Sequence, residues 1–262
     1  TISAGATTGT ATFNPTDDTG CYEDTETAII GVSATNGGGS SGTPSTTISI
    51  TENEVAPIVT LITSDTSATE DGSDLTLTSK LSYCTFENVV VTLVGSGTAT
   101  DDTDYAMGNI TVTTGNTSAT TTFNPTPDDL YDAASAETAT IDVTNVSGGG
   151  ASEHGTAQQV SITLADNDSA PTVTLETTAN TVYDNQADLT LTARLSIATY
   201  EAVTVSLQGT GSATDDTDYV MGNITVSAGS DTGTTAFNPT PDTNYEGTES
   251  ATIAISSVSG GS

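Results

Sequence analysis

An 18-residue stretch, Gly95–Val112, returns almost unchanged as Gly209–Val226, with 15 identical positions at an offset of 114 residues. Near-identity at that distance means that a whole domain is repeated, because solenoid units recur every 20 to 50 residues or so. Other landmarks keep the same offset: Ala56-Pro57 with Ala170-Pro171, Leu75–Thr78 with Leu189–Thr192, and Phe123–Thr126 with Phe237–Thr240. A third Phe-Asn-Pro-Thr stands at Phe13–Thr16. One complete repeat therefore spans residues 56–169. Residues 1–55 read as the back half of a preceding repeat, and 170–262 as a following repeat that stops before its last strand. The chain reads as a window on a longer repetitive protein.

Within the complete repeat, apolar residues alternate with Thr and Ser, as in Leu75/Leu77/Leu81, Val89/Val91/Leu93, Ile141/Val143 and Val160/Ile162/Leu164. A period of two marks strands with one buried and one wet face. Six or seven such strands, with Gly- and Asp-rich turns and no helical periodicity, predict an all-β fold: tandem antiparallel, Greek-key-like sandwiches of about seven strands each. Gly37–Gly39, Gly148–Gly150 and Gly260-Gly261 read as one recurring flexible loop before the final strand. The links between repeats, Ile50–Pro57 and Leu164–Pro171, are short and acidic, with almost no slack.

Charge narrows the function classes. Against 34 Asp and Glu stand 2 Lys and Arg, a formal net charge of −32. No basic patch exists to meet phosphates, so nucleic acid is excluded as a partner, and an anionic membrane surface is disfavoured. No apolar run reaches the length of a membrane span in this window. So acidic a chain repels itself unless cations neutralise it. Two explanations are compatible: an acidic, soluble surface for salty surroundings, or carboxylates that are ligands of a hard cation.

The acids are unevenly placed along the repeat. Glu70 and Asp71 follow the first strand, Asp101, Asp102 and Asp104 the third, Asp128, Asp129, Asp132 and Glu137 lie between the next two, and Asp166 and Asp168 follow the last. An up-and-down tracing brings these loops to one pole, facing the next repeat. Calcium accepts six to eight oxygens in flexible geometry and suits loops converging at strand ends, whereas magnesium takes fewer protein ligands and zinc wants His or Cys. A single Asp in such a loop is equally well a turn residue.

The order Glu70, Thr98–Tyr105, Pro127–Asp132 with Glu137, then Asp166-Asn167-Asp168 resembles the Calx-beta domain, a family that includes regulatory domains of sodium–calcium exchangers, integrin β4 and bacterial surface adhesins. The resemblance runs through all 262 residues. It implies a seven-stranded sandwich with calcium at the distal loops. Carried over, it implies metal ligation by Glu70, Asp104, Asp128, Asp129, Asp132, Glu137, Asp166 and Asp168. In the following repeat the matches are Asp184, Asp218, Asp242, Glu246 and Glu249. In the preceding one they are Asp17, Asp18, Glu23, Glu26, Glu52 and Glu54. The chain departs from the family pattern in the extra Ala133–Ala136 turn and in Thr243-Asn244 after Asp242.

Cys21 lies in the distal loop of the first repeat and Cys84 in a proximal loop of the second, at ends that face each other across the link. Their counterparts at the next link are Leu130 and Ala198, so both thiols are absent together. An inter-repeat Cys21–Cys84 disulfide is expected, in keeping with an oxidising exterior, the alternative being two unrelated thiols. His154 has no nucleophile context, and Lys80 aligns with Arg194 as a strand-surface cation. Asn109, Asn116, Asn145 and Asn223 fit the Asn-x-Ser/Thr acceptor pattern.

These features predict a non-enzymatic, extracellular, cell-surface structural or adhesive protein, a calcium-stiffened rod, stalk or filament. Its partners would be calcium ions, neighbouring repeats and, in a filament, copies of itself. The alternative is a calcium-sensing or ligand-binding module of a larger secreted enzyme or receptor.

Overall fold

A computed structural model describes residues 1–17, 20–37, 42, 44–132, 136–243, 245 and 247–261. Every regular element among them is a strand. Two five-stranded sheets face each other between Ile58 and Ala165. One sheet runs, in spatial order, Ile110–Val112, Val89–Gly97, Glu137–Ser147, Gln159–Ala165 and Ser67–Thr69. The other runs Ser152–Glu153, Ile58–Thr63, Leu75–Leu81, Ser118–Pro125 and Tyr105–Met107. The inward set of the period-two pattern fills the space between them: Val59, Leu77, Val89, Val91, Ile110, Val112, Phe123, Ile141 and Ile162 are fully buried. At about 1.5–3 kcal/mol for each large apolar side chain, this interleaved face is the main force holding the two sheets together.

The tracing differs from a simple up-and-down array of seven strands. After Thr63 the chain crosses to the opposite sheet. The Asp65 carboxylate accepts from the amides of Thr66 and Ser67 and shapes the crossing. Ser67–Thr69 then runs parallel to Gln159–Ala165, and Ser152–Glu153 runs parallel to Ile58–Val59. Alternation says which side chains are wet but not which sheet a strand joins, so these short parallel additions left no mark on the pattern.

The repeated stretch Gly95–Val112 owes its composition to one aromatic ring. Tyr105 is fully buried and stacks on Phe123 with ring centroids 4.5 Å apart. Its hydroxyl lies under the backbone of Gly95, where a Cβ would fall on top of it, so no larger residue fits at 95. Tyr219, Phe237 and Gly209 repeat the arrangement with the same 4.5 Å spacing. Burial, then Asp101 and Asp104, push the Tyr105 hydroxyl up to about 12.

The third unit has a four-stranded sheet, Val173–Thr177, Leu189–Leu195, Thr232–Pro239 and Tyr219–Met221, against a three-stranded one, Ile224–Val226, Val203–Gly211 and Ala251–Gly260. The first unit contributes the antiparallel pair Glu26–Gly31 and Ser45–Ile50, whose Ile29 is 72% exposed. Arg194 makes exposed ion pairs with Glu176 and Asp231, at 3.9 and 3.4 Å, whereas exposed Lys80 lies across from Thr60 and Ser118.

Candidate metal centre at the junctions between repeats

Each unit meets the next through a two-residue parallel bridge. Cys21 pairs with Cys84 and Tyr22 with Thr85; one repeat further, Leu130 pairs with Ala198 and Tyr131 with Thr199. The amide of Phe86 donates to the Tyr22 carbonyl, and that of Tyr200 to the Tyr131 carbonyl, both at 3.1 Å. Cys21 and Cys84 are joined by a disulfide, with Cα atoms 4.5 Å apart.

Above the second bridge stand the acids at the distal pole of the middle sandwich. Strand register carries them there. Glu137 pairs with Leu164 at the start of its strand, and the Glu70 amide donates to Ala165, which sets Glu70 beside Asp166. The Asp104 carboxylate accepts from the Thr100 amide at 2.6 Å, and its carbonyl accepts from Thr126, which ties that turn to the loop carrying Asp128. Asp128 in turn accepts from the Leu130 amide at 2.7 Å. Asp166 organises the rest: one oxygen accepts from the amide of Asp132 and the other from that of Asp168, each at 2.7 Å.

These carboxylates act on one another strongly. Burial, then Asp128, Asp166, Glu137 and Asp104, push Glu70 up to about 7. Burial and the charges of Asp104, Asp132 and Asp128 raise Glu137. Asp168 is raised by burial, then by Asp166, Asp129, Asp128 and Asp71. The eight acids expected as ligands in the middle repeat are thus linked in one electrostatic set, and Asp71 stands with them. Among the described residues, no three Asp, Glu, His or Cys side chains close into a cage of metal ligands. Asp101 and Asp102 belong to the turn itself. Asp102 adopts φ 65°, and its amide donates to the Asp101 side chain and to the Tyr105 carbonyl.

The preceding junction repeats the plan with different acids. Glu52 occupies the place of Asp166: one oxygen accepts from the Glu23 amide at 2.7 Å, the other from the amides of Asn53 and Glu54. A side-chain hydrogen bond with Glu54 and these amides hold Glu52 down, to about 2, and the same bond raises Glu54. Asn53 reaches Asp17 at 3.3 Å, and Glu26 opens its strand opposite Ile50 as Glu137 does opposite Leu164. At the third pole Asp218 accepts from the Thr214 amide as Asp104 does from Thr100. Asp184, Asp242 and Glu249 are exposed there. Asp18 and Glu246 lie outside the described residues.

Three carboxylate oxygens in these clusters are buried without a hydrogen-bond partner: Oε2 of Glu54, Oε2 of Glu70 and Oδ2 of Asp168. Glu54 and Asp168 hold equivalent positions, 114 residues apart, so the orphaned oxygen is a feature of the repeat. A buried acceptor left unpaired costs about 1–3 kcal/mol, more when charged. The carboxylates whose charges act on Glu70 and Asp168 cannot donate while ionised. The all-oxygen donor set, its excess negative charge and its loop placement fit a hard divalent cation of calcium's size. They do not fit zinc.

Sequence reasoning placed the acids but missed the tyrosine that follows Cys21 and Leu130 in each bridge. The signal was there in Tyr22, Tyr131 and Tyr245, which recur at one position among the acids.

No protein-family model matches the chain, and no curated protein does. Among solved structures, CBD12 of CALX1.2 is similar at 15% identity over 76% of this chain and 80% of that one, with a TM-score of 0.34. The calcium binding domain CBD12 of CALX1.1 is 14% identical over 66% and 72%, with a TM-score of 0.35. A two-domain protein of unknown function from Bacteroides fragilis is 11% identical over 70% and 85%, with a TM-score of 0.31. Likeness at this level assigns no function.

Proposed function

We propose that the chain is a run of Calx-beta-like repeats that bind calcium at the junctions, and that it serves outside the cell as a structural or adhesive element without catalytic activity. The observation that carries this is the recurrence of an orphaned, buried carboxylate oxygen at equivalent positions of two junctions, Glu54 and Asp168. Glu70, Asp104, Asp128, Asp129, Asp132, Glu137, Asp166 and Asp168 would hold the ion or ions of the second junction. Asp17, Glu23, Glu26, Glu52 and Glu54 would serve at the first. Calcium bound there would supply positive charge. With their charges neutralised, these acids would no longer repel one another, and the joint to the next unit would stiffen.

An extracellular place is supported by the disulfide, which persists in oxidising compartments. Isothermal titration with calcium, paired with small-angle scattering in calcium and in chelator, tests the proposal. Saturable binding and a longer maximum dimension in calcium are expected. Absence of binding, or an identical scattering profile in both conditions, would remove it.

A further inference from the structure

We propose that Tyr22 is a docking knob seated on the glycine turn Gly148–Gly150 of the following sandwich, and that this seat holds the first joint in register without any metal. It goes beyond the calcium reading and does not rest on it.

The glycine triplet Gly148–Gly150, read from sequence as a flexible loop, is instead shaped to receive the ring. Gly148, Gly149 and Gly150 all have positive φ, at 91°, 51° and 59°. A Cβ on Gly150 would lie 2.2 Å from Cε1 of Tyr22 and 2.7 Å from its hydroxyl oxygen, so the ring occupies the space a side chain would need. A Cβ on Gly149 would lie 2.8 Å from the side chain of Thr85, the residue that Tyr22 pairs with in the bridge. Thr85 is itself fully buried, with its hydroxyl donating to the Glu87 carbonyl at 2.6 Å. The knob, its bridge partner and the turn therefore form one packed contact.

The second joint repeats only part of this. Gly260 and Gly261, the counterparts of Gly148 and Gly149, again have positive φ, 84° and 79°, and a Cβ on Gly261 would meet Val203 and Thr199 as one on Gly149 would meet Thr85. The counterpart of Gly150 is Ser262, and Tyr131, Pro171, Leu195, Val203, Gly260 and Gly261 line a recess there. Thr199 repeats the buried hydroxyl of Thr85, donating to Glu201 at 2.6 Å. Tyr22 is partly covered on its seat. A ring seated on backbone loses apolar surface to water at little cost in side-chain freedom, since Tyr has only two rotatable side-chain angles. The Tyr22 hydroxyl donates to the Asp24 carboxylate and the Gly149 amide to that of Glu87, each at 3.3 Å, but neither acid is among those assigned to the metal, so removing cations leaves the ring on its seat.

The test is amide hydrogen exchange on the full chain in excess chelator with reductant, so that neither metal nor disulfide holds a joint. The reporters are the amides of Phe86 and Tyr200, which donate across the first and second bridges. In the wild type the Phe86 amide is expected to be protected. Tyr22→Ala should lower its protection about tenfold or more while leaving Tyr200 unchanged, and Tyr22→Phe should retain it. Gly150→Ala should release Phe86 and spare Tyr200. Protection of the Val91 amide, in the core of the middle sandwich, shows that the fold survives; Tyr22→Ser is the second variant if Tyr22→Ala disturbs it. Phe86 remaining protected in both Tyr22→Ala and Tyr22→Ser would overturn the proposal. So would a wild-type Phe86 amide that becomes protected only when calcium is added, a result that leaves the calcium reading standing and this one lost.

Discussion

The two junctions share a backbone and differ in chemistry. In both, a two-residue parallel bridge follows the acidic loop, an acid at the link accepts two sets of amides, and an amide of the next sandwich donates back across the gap. Yet the first bridge carries a disulfide where the second carries Leu130 against Ala198. At the first, Glu52 accepts from the amides of Glu23, Asn53 and Glu54; at the second, the shorter Asp166 accepts from those of Asp132 and Asp168. The register of a joint is therefore a property of the repeat, and its strength is adjusted by side chains that differ between copies.

The largest expected effect comes from the covalent link. It closes a loop of sequence separation 63, and losing it should cost on the order of 4 kcal/mol in the chain-entropy picture. Cys21→Ser with Cys84→Ser should therefore lower the calorimetric transition of the first unit and leave the third unit's transition in place. The converse variant, Leu130→Cys with Ala198→Cys, should oxidise in air and lose the mass of two hydrogens, because that pair occupies the bridge position held by the two cysteines. Free thiols after air oxidation would show that the two joints are not equivalent.

Next in size is a reversal of sign at the orphaned carboxylate. Asp168→Asn removes a charge that Asp166, Asp129 and Asp128 oppose. It should raise the melting temperature in chelator and, by removing a ligand, lower calcium affinity about tenfold, which is about 1.4 kcal/mol. A variant that melts lower in both conditions would indicate that Asp168 is structural only.

The acid–base prediction follows from Glu70. Its carboxyl holds a proton up to about 7 in the folded chain against 4.5 ordinarily, so between these values the folded state binds more protons than the unfolded. Stability in chelator should fall as pH rises from about 4.5 to about 7, and Glu70→Gln should flatten that slope. Calcium, which favours the ionised form, should flatten it as well. Melting curves at several pH values with and without chelator check all three statements.

The smallest effect extends the comparison into the cores. Ser79 is fully buried with an unpartnered hydroxyl, and the equivalent residue of the third sandwich is Ala193. Ser79→Ala should stabilise the middle sandwich by about 1 kcal/mol, raising its melting temperature by a few degrees. Ala193→Ser should lower that of the third by a similar amount.

Much of this architecture was legible in the chain. Val89/Val91 and Ile141/Val143 announced their strands because a strand's two faces are set by adjacent residues, and the 114-residue offset announced the repeat. The gathering of Glu70, Asp104, Asp128, Glu137 and Asp166 at one pole followed from where the strands end. The parallel seating of Ser67–Thr69 against the last strand was not legible, since three residues of Ser, Ala and Thr have no preference between two sheets. Nor were the roles of the glycines: Gly95 makes room for a tyrosine ten residues further on, and Gly150 for one from another unit.

What the sequence alone determined is therefore the strand pattern, the repeat and the excess of acid at the links, all written in neighbouring residues or in composition. Tertiary structure decided which carboxylate oxygens find an amide and which, like those of Glu54, Glu70 and Asp168, are left without one. It also decided that Tyr22 lies over Gly150. The physical reason is range: alternation and charge act through adjacent residues, whereas hydrogen bonds and ring contacts demand placement within about half an ångström between bodies that only packing brings together.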